Sequence, residues 1–303
     1  MDRRTFVAAT ALAEIAPAAS PAAHKKDSLG RPLRGGSYAL APDGTGLYIQ
    51  DFGRGRPIVF LSAWTLDSRF WGTHIAALVK RGFRCVAVDR RGHGRSDAPS
   101  TGYDADTLSA DVGAVLQQLD LRDVVLVAHS MGSGEAVRYL ARHGTERVSK
   151  LVLVAPTTPF IRKTDDNPHG VPGNLIDAML AEIAQDFPKW VSANEAPFFT
   201  PDTTQETRTW IKTMMLGVSL PIALTHRDQA GRTDFRADTS AVRQPTLILH
   251  GDKDVSAPLP LTGARTAELL REGKLIVYEN APHALPLTHR DRILQDLETF
   301  ARD

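Results

Sequence analysis

The sequence predicts a three-layer α/β fold, in which a mostly parallel sheet is covered by helices on both faces. Two observations predict this fold. Short apolar runs alternate with segments in which apolar residues recur at helical spacing. The runs are also apolar at nearly every position, which is typical of strands buried on both faces of a parallel sheet. With 303 residues, the chain is long enough to form one large core.

The predicted elements follow one another along the chain. Asp43 and Gly44 indicate a hairpin turn between two short strands ahead of the first buried strand. Buried strands are predicted at 57–63, 85–89, 124–128, 151–155, 246–250 and 274–278. Helices are predicted at 70–81, 107–119 and 132–143, the first closed by Gly82 and the last by Gly144.

The alternation of strands and helices stops between Pro156 and Pro245. Large apolar side chains are mixed there with helix formers and prolines: Phe187, Trp190, Phe198, Phe199, Trp210, Met214 and Met215. An insertion of this length is expected to fold as a helical lid at 157–244 rather than as an independent domain. The core is then expected to consist of 37–156 and 245–303.

Composition indicates a small-molecule partner. The chain has 36 Lys and Arg against 35 Asp and Glu and no long charge run, so nothing favours binding to nucleic acid or an anionic membrane. No apolar run of about 18 residues predicts a membrane span. The single cysteine, Cys85, lies in an apolar run, and the histidines lack zinc-binding spacing. We therefore expect no metal and no organic cofactor; the sequence does not predict an oligomeric state.

The first residues differ from the rest of the chain. An R-R-T-F pattern at 3–6 precedes an alanine-rich apolar run, and small residues follow at 16–23. This arrangement resembles a bacterial twin-arginine signal peptide. We expect a signal peptide at 1–23, a linker at 24–36 and export to the periplasm or beyond. The alternative is a disordered alanine-rich tail on a cytoplasmic protein.

A serine stands where a predicted strand becomes a predicted helix. Ala128 lies two positions before Ser130, and Gly132 lies two positions after it. A sharp strand-to-helix turn needs small residues at both places because it leaves no room for larger side chains. The segment is therefore predicted to be a nucleophile elbow. The amide N–H of Met131 would then point at a developing oxyanion.

Partners for this serine follow the last two predicted strands. A serine hydroxyl is a poor nucleophile unless a base accepts its proton and a third group orients that base. Asp252 and Asp254 follow one strand, and His283 follows the next. Singly, each could be an ordinary loop residue. Jointly, and in the order serine, aspartate, histidine, they predict a catalytic triad of Ser130, Asp254 and His283.

Dinucleotide binding is the alternative interpretation of the same turn, because Gly132 and Gly134 also follow a strand and open a helix. That fingerprint requires a third small residue where Val137 stands. It also requires an acidic residue at the end of the next strand, which ends at Ala155. Both requirements fail, so this interpretation is rejected.

With these motifs, the chain resembles the α/β-hydrolase superfamily, and within it the cofactor-free haloperoxidase, arylesterase and perhydrolase group. The resemblance runs from about Ser37 to the C-terminus and is weakest across the lid. It is strongest in five segments: DRRGHGRSD at 89–97, LVAHSMGSGEAVRYLARHG at 126–144, TDFRAD at 233–238, LILHGDKD at 247–254 and APHALPLTH at 281–289.

The resemblance implies roles for individual residues. Ser130 is the expected nucleophile, His283 the base and Asp254 the acid, whereas Asp252 takes a non-catalytic position. The family's His-Gly-x segment reads Ser62, Ala63 and Trp64 here, which implies that the amide of Trp64 is the second oxyanion donor. Glycine allows backbone angles that a Cβ forbids, so we expect alanine at 63 to tilt this donor or crowd the site.

The expected function is hydrolysis of a small carboxylic ester through an acyl-enzyme, without a cofactor. Hydrogen peroxide can replace water in this family and yield a peracid. One alternative is a lactonase or a C–C bond hydrolase that uses the same triad. Another is a ligand-binding protein that kept the fold but has little turnover.

Overall fold

The computed structural model describes residues 38–303. The predicted signal peptide at 1–23 and linker at 24–36 lie outside the described residues.

Within the described residues, an eight-stranded sheet forms the centre of the molecule. Its strands are β1 (Tyr38–Leu40), β2 (Gly46–Gly53), β3 (Pro57–Leu61), β4 (Arg84–Val88), β5 (Val124–His129), β6 (Val148–Val154), β7 (Thr246–Gly251) and β8 (Gly273–Tyr278). They are arranged in the order β1-β2-β4-β3-β5-β6-β7-β8. Strands β3 to β8 run parallel to one another, whereas β2 is antiparallel to both of its neighbours, β1 and β4.

Helices cover both faces of this sheet, as predicted. They are α1 (Gly72–Lys80), α2 (Ala105–Gln118), α3 (Gly132–Arg142), α4 (Gly173–Gln185), α5 (Phe187–Ala193), α6 (Gln205–Met215), α7 (Leu220–Arg232), α8 (Arg236–Ala241), α9 (Gly263–Leu269), α10 (Leu285–Thr288) and α11 (Arg290–Arg302). Among residues 38–303, no helix is long and apolar enough to cross a membrane.

The two faces of the sheet form two separate apolar cores. Successive strand residues point to opposite faces, so Phe60 packs towards α1 and α11, whereas Val59 packs towards α2 and α3. Cys85 is fully buried in the first core, where burial raises the pKa of its thiol to about 12, so it is an inert core residue as interpreted. The edge strand β8 is only partly covered, and its Val277 is exposed.

Element boundaries differ from the predicted ones where capping or pairing extends an element. The turn at Asp43 and Gly44 forms as predicted, with Gly44 at a φ of +86°. Helix α2 begins at Ala105 instead of 107 because the carboxylate of Asp104 accepts the amide of Thr107 at 2.9 Å. Strand β6 begins at Val148 instead of 151, since Val148 pairs with β5.

The segment between β6 and β7 contains helices α4 to α8. We call residues 157–244 the insertion. Side chains from α4 to α7 form a third apolar cluster with Trp64, Tyr103 and Met131, which lie in loops and turns of the core. The insertion therefore packs directly over the loops at the carboxyl ends of β3 and β5.

Candidate active site

The serine lies on a strained turn between β5 and α3. Ser130 has a φ of +55°, in the left-handed region that costs a residue with a side chain about 1–3 kcal/mol. Its amide donates to the carbonyl of Val154 at 3.0 Å, which helps to fix this conformation. A Cβ on Gly132 would lie 3.1 Å from the Cβ of Leu61. Ala128 is fully buried. Small residues are therefore needed at both flanking positions, as predicted.

Ser130, His283 and Asp254 form one hydrogen-bonded chain. The Oγ of Ser130 lies 2.9 Å from Nε2 of His283, and Nδ1 of His283 lies 2.7 Å from Oδ2 of Asp254. All three residues are buried. They come from the ends of β5, β8 and β7, because the carboxyl ends of parallel strands meet at one edge of the sheet. Asp252 lies outside this chain; its carboxylate is 3.9 Å from Lys253.

Several donors hold the carboxylate of Asp254. Its Oδ1 accepts the amide of Ala257 at 2.8 Å. Its Oδ2 lies 3.3 Å from Nε2 of His250, which also lies 2.8 Å from the carbonyl of Ala257. Burial alone would raise the pKa of Asp254. The attraction of His283, together with the hydrogen bonds from His250, His283 and Ala257, outweighs burial and holds this pKa well below its ordinary value. The carboxylate is therefore ionised at neutral pH.

His129, next to the serine, is a packing residue. Its ring stacks on Phe70 with centroids 5.2 Å apart, and its Nε2 lies 3.1 Å from the carbonyl of His283. Burial, reinforced by the neighbouring His283, lowers the pKa of His129 to about 3. His129 is therefore neutral, and its ring supports the backbone that carries His283.

Two backbone amides, one next to the serine and one in the loop after β3, have no acceptor among the described residues. Among the described residues, neither the amide of Met131 nor that of Trp64 donates to a protein acceptor. Met131 precedes the first turn of α3, and Trp64 lies in the loop after β3. Both side chains belong to the cluster beneath the insertion. Unpaired amides at the start of a helix and in a neighbouring loop can bind an anion.

Arg90 holds the loop that carries Trp64, a role that sequence reasoning missed. Its Nη2 donates to the carbonyl of Ser62 at 2.7 Å, and its Nη1 donates to that of Ala63 at 3.2 Å. Its Nε pairs with Glu135 of α3 at 2.5 Å, and both side chains are almost fully buried. This ion pair ties the loop after β3 to the helix that follows the serine.

Alanine at position 63 fits this loop without left-handed strain. Ala63 is absent from the described non-glycine residues with positive φ. The hydroxyl of Ser62 donates to the carbonyl of Asp67 at 3.0 Å and so joins the two ends of this loop. The backbone therefore does not require glycine at this position.

A pocket opens above the serine and encloses about 670 Å³, including its open mouth. Ser130 and His283 line it together with Trp64. Most of its apolar wall comes from the insertion, and the loop after β3 adds Ala63 and Leu66. The residues of the insertion are Trp190, Val191, Phe198, Phe199, Ile211 and Met215. Of the large side chains noted in the sequence, Phe187 and Met214 are instead buried in apolar clusters, and Trp210 is exposed. The mainly apolar lining, interrupted by a few polar side chains, is typical of small-molecule sites.

Comparison with known proteins identifies the family. Residues 56–290 match the family model described as alpha/beta hydrolase fold. The chain is 36% identical over 266 residues to a non-heme chloroperoxidase from Kitasatospora aureofaciens, covering 86% of this chain and 95% of that protein. It is 34% identical over 277 residues to a bifunctional esterase/perhydrolase from Acinetobacter calcoaceticus, covering 88% and 99%.

A solved structure agrees with these sequence relatives. The esterase from Exiguobacterium antarcticum superimposes with a TM-score of 0.85 at 31% identity, covering 88% of this chain and all of that one. The fold and the site thus define an enzyme of the α/β-hydrolase class. The chain belongs to the α/β-hydrolase superfamily, and its relatives there are non-heme haloperoxidases, perhydrolases and esterases, the group predicted from the motifs.

Proposed function

We propose that the protein is a serine hydrolase that cleaves a small carboxylic ester through an acyl-enzyme. The observation that carries the proposal is the hydrogen-bonded chain from Ser130 through His283 to Asp254 at the base of a largely apolar pocket. The esterases among the related proteins support it.

In this mechanism, Ser130 attacks the ester carbonyl while Nε2 of His283 accepts its proton. The ionised Asp254 accepts the Nδ1–H of His283, which fixes the tautomer that leaves Nε2 free as a base. It also stabilises the imidazolium that forms. The low pKa of Asp254 suits this role because the carboxylate stays charged throughout.

The oxyanion would be stabilised by the amides of Met131 and Trp64, which have no acceptor in the described structure. His283 then donates its proton to the departing alcohol. Water, activated by the same histidine, attacks the acyl-Ser130 ester and releases the carboxylic acid. No step requires a metal or an organic cofactor.

A perhydrolase activity is the second candidate, favoured by the relatives named as a perhydrolase and as non-heme chloroperoxidases. Hydrogen peroxide would replace water in the second step. Its oxygen would form the bond to the acyl carbon as the bond to Ser130 breaks, giving a peracid and the free serine. The peracid would then oxidise halide in solution.

A substrate panel combined with a covalent probe tests the proposal. We expect a fluorophosphonate to label Ser130, and p-nitrophenyl esters of short acids to be hydrolysed faster than lactones or β-diketones. A lactone or β-diketone preference would instead support the lactonase or C–C hydrolase alternative. Absence of both labelling and turnover would support a binding protein. With hydrogen peroxide and an acetate ester, the enzyme should produce a peracid that oxidises bromide.

We also propose export through the twin-arginine route, on the sequence pattern at 3–6. Replacing both Arg3 and Arg4 with lysine should retain the precursor in the cytoplasm, as seen by fractionation of the native host. A wild-type protein that stays unprocessed in the cytoplasm would contradict this proposal.

A further inference from the structure

A partly buried cation lines the pocket without an acidic partner among the described residues. Arg227 of α7 is one of the pocket-lining residues. Its Nε is buried and has no hydrogen-bond acceptor among residues 38–303. The contacts that it does make are weak for a guanidinium: Nη2 lies 3.5 Å from the sulfur of Met179, and Cζ lies 5.6 Å from the centroid of the Trp64 ring. The indole attracts the positive charge, but it does not neutralise it.

The other charges in the pocket wall are compensated. Lys212 lies 2.7 Å from the carboxylate of Glu195, and both residues line the pocket. Arg208 lies 3.6 Å from the same carboxylate. Glu195 is therefore already shared by two cations, and no ion pair within the described part of the chain includes Arg227. The pocket carries a surplus positive charge at Arg227.

A charge that is partly shielded from water and has no partner is costly, because it has lost part of its hydration and gained nothing equivalent. Burial lowers the pKa of Arg227, and no nearby carboxylate offsets this effect. An arginine nonetheless stays protonated at neutral pH, since its ordinary pKa lies above about 12. A ligand that brings a carboxylate would supply the missing partner, and the planar guanidinium fork binds carboxylates through two parallel hydrogen bonds.

We infer that the substrate of this enzyme is an ester that carries a free carboxylate, bound by Arg227 while Ser130 attacks the ester carbonyl. The inference rests on the proposed ester hydrolysis and adds the substrate class to it. The half-ester of a dicarboxylic acid carries its charge on the acyl side. A carboxyaryl ester carries it on the alcohol side. Both share the chemistry that Arg227 would recognise.

Matched pairs of substrates test the inference. Monomethyl glutarate is compared with methyl butanoate for the acyl side, and 4-carboxyphenyl acetate with phenyl acetate for the alcohol side. For the wild type, we expect kcat/KM to favour the anionic member of one pair at least tenfold. The pair that shows the preference assigns the side on which the carboxylate binds. Equal or lower kcat/KM for both anionic esters, with normal turnover of the neutral ones, would overturn the inference but leave the proposed function intact.

Variants of Arg227 show whether this residue binds the carboxylate of the substrate or only supports the neighbouring Trp64. Arg227→Met should lower the anionic-to-neutral ratio of kcat/KM tenfold or more, mainly through KM for the anionic ester. Arg227→Lys keeps the charge without the fork and should restore part of the ratio. If Arg227 only supports Trp64, its loss should lower kcat/KM equally for the anionic and the neutral ester and leave their ratio unchanged. That result would overturn the inference.

Arg232 supplies a matched control on the same helix. It is exposed and paired with Asp228 at 2.6 Å and Asp177 at 3.3 Å, and it does not line the pocket. Arg232→Met should leave the substrate ratio as in the wild type. A loss of the ratio equal to that of Arg227→Met would show a general charge effect and overturn the inference.

A binding measurement keeps the inference testable if the proposed function fails. If neither ester of a pair is hydrolysed and Ser130 is not labelled, glutarate binding is measured by calorimetry. Glutarate that binds the wild type at least tenfold more tightly than Arg227→Met would support the carboxylate site alone. Equal binding by the two proteins, or none by either, would overturn it.

Discussion

The two sides of the pocket are built differently. The strand-end loops, which carry Trp64, Ser130, Asp254 and His283, hold their functional groups with short hydrogen bonds between buried residues. The insertion contributes mainly apolar side chains, and Arg227 has no acidic partner there. Hydrogen bonds at strand ends fix an atom to within a fraction of an ångström, whereas apolar packing tolerates substitution. This difference suggests that the chemistry belongs to the strand-end loops and the substrate preference to the insertion.

The largest effect is expected at Ser130 itself. Ser130→Ala should lower kcat by about 10⁴-fold or more, since members of a triad act as a unit, and should abolish fluorophosphonate labelling. The fold should remain intact, because alanine is no larger than serine. Ser192→Ala, at an exposed position on α5, is the control and should keep the label. Near-normal ester hydrolysis by Ser130→Ala would refute the assigned nucleophile.

Arg90 should show a smaller effect of a different kind. Arg90→Lys keeps the charge beside Glu135 but cannot reach both carbonyls of the loop, so the amide of Trp64 should shift. Loss of a whole oxyanion donor costs about 10²–10³ in kcat, so a shifted donor should cost about 10- to 100-fold. KM should change little. Steady-state rates of this variant are compared with those of Arg95→Lys, because the exposed side chain of Arg95 donates to the hydroxyl of Tyr48 and lies over its ring.

An unchanged kcat in Arg90→Lys would show that the loop keeps its shape without the guanidinium. The strand-end loops would then tolerate substitution as the insertion does, which would weaken the proposed difference between the two sides of the pocket.

A side chain of the insertion should act on binding instead of turnover. Trp190 lines the pocket and packs edge-on against Trp64, with ring centroids 5.6 Å apart. Trp190→Ala should raise KM about tenfold, equivalent to about 1.4 kcal/mol, with kcat within about twofold of the wild type. Trp210→Ala is the matched control, since Trp210 is exposed and outside the pocket lining. A drop in kcat at constant KM would show that Trp190 contributes to turnover, as the strand-end loops do, and not to substrate binding.

The smallest effect is expected at Ala63. The sequence led us to expect that glycine would improve the oxyanion donor. The structure places Ala63 outside the left-handed region, with its carbonyl held by Arg90. Ala63→Gly should therefore leave kcat on short esters within about twofold and lower the free energy of unfolding by about 0.5–1 kcal/mol through backbone entropy. A clear rise in kcat would show that the methyl group crowds the substrate.

Local sequence patterns predicted the features that depend on neighbours along the chain. The turn at Ser130 follows from the small residues around it, and the candidate partners follow from the rule that parallel strands end at one edge. His250 was not assigned a role, although it lies 3.3 Å from Asp254. Nothing in its own strand marks it, because its contact depends on how the loop after β7 folds back.

The sequence by itself determined the order of strands and helices, the strand-to-helix turn and the chain order of serine, aspartate and histidine, since each depends on spacing within one or two elements. Only the tertiary structure decided which of two adjacent arginines supports the site: Arg90 bonds to the loop before Trp64, whereas Arg91 pairs with Asp111 and Asp43. Among residues 38–303, it also left Arg227 without an acidic partner, whereas Arg232 on the same helix has two. Such contacts join residues far apart in the chain, so they exist only after the elements have packed together.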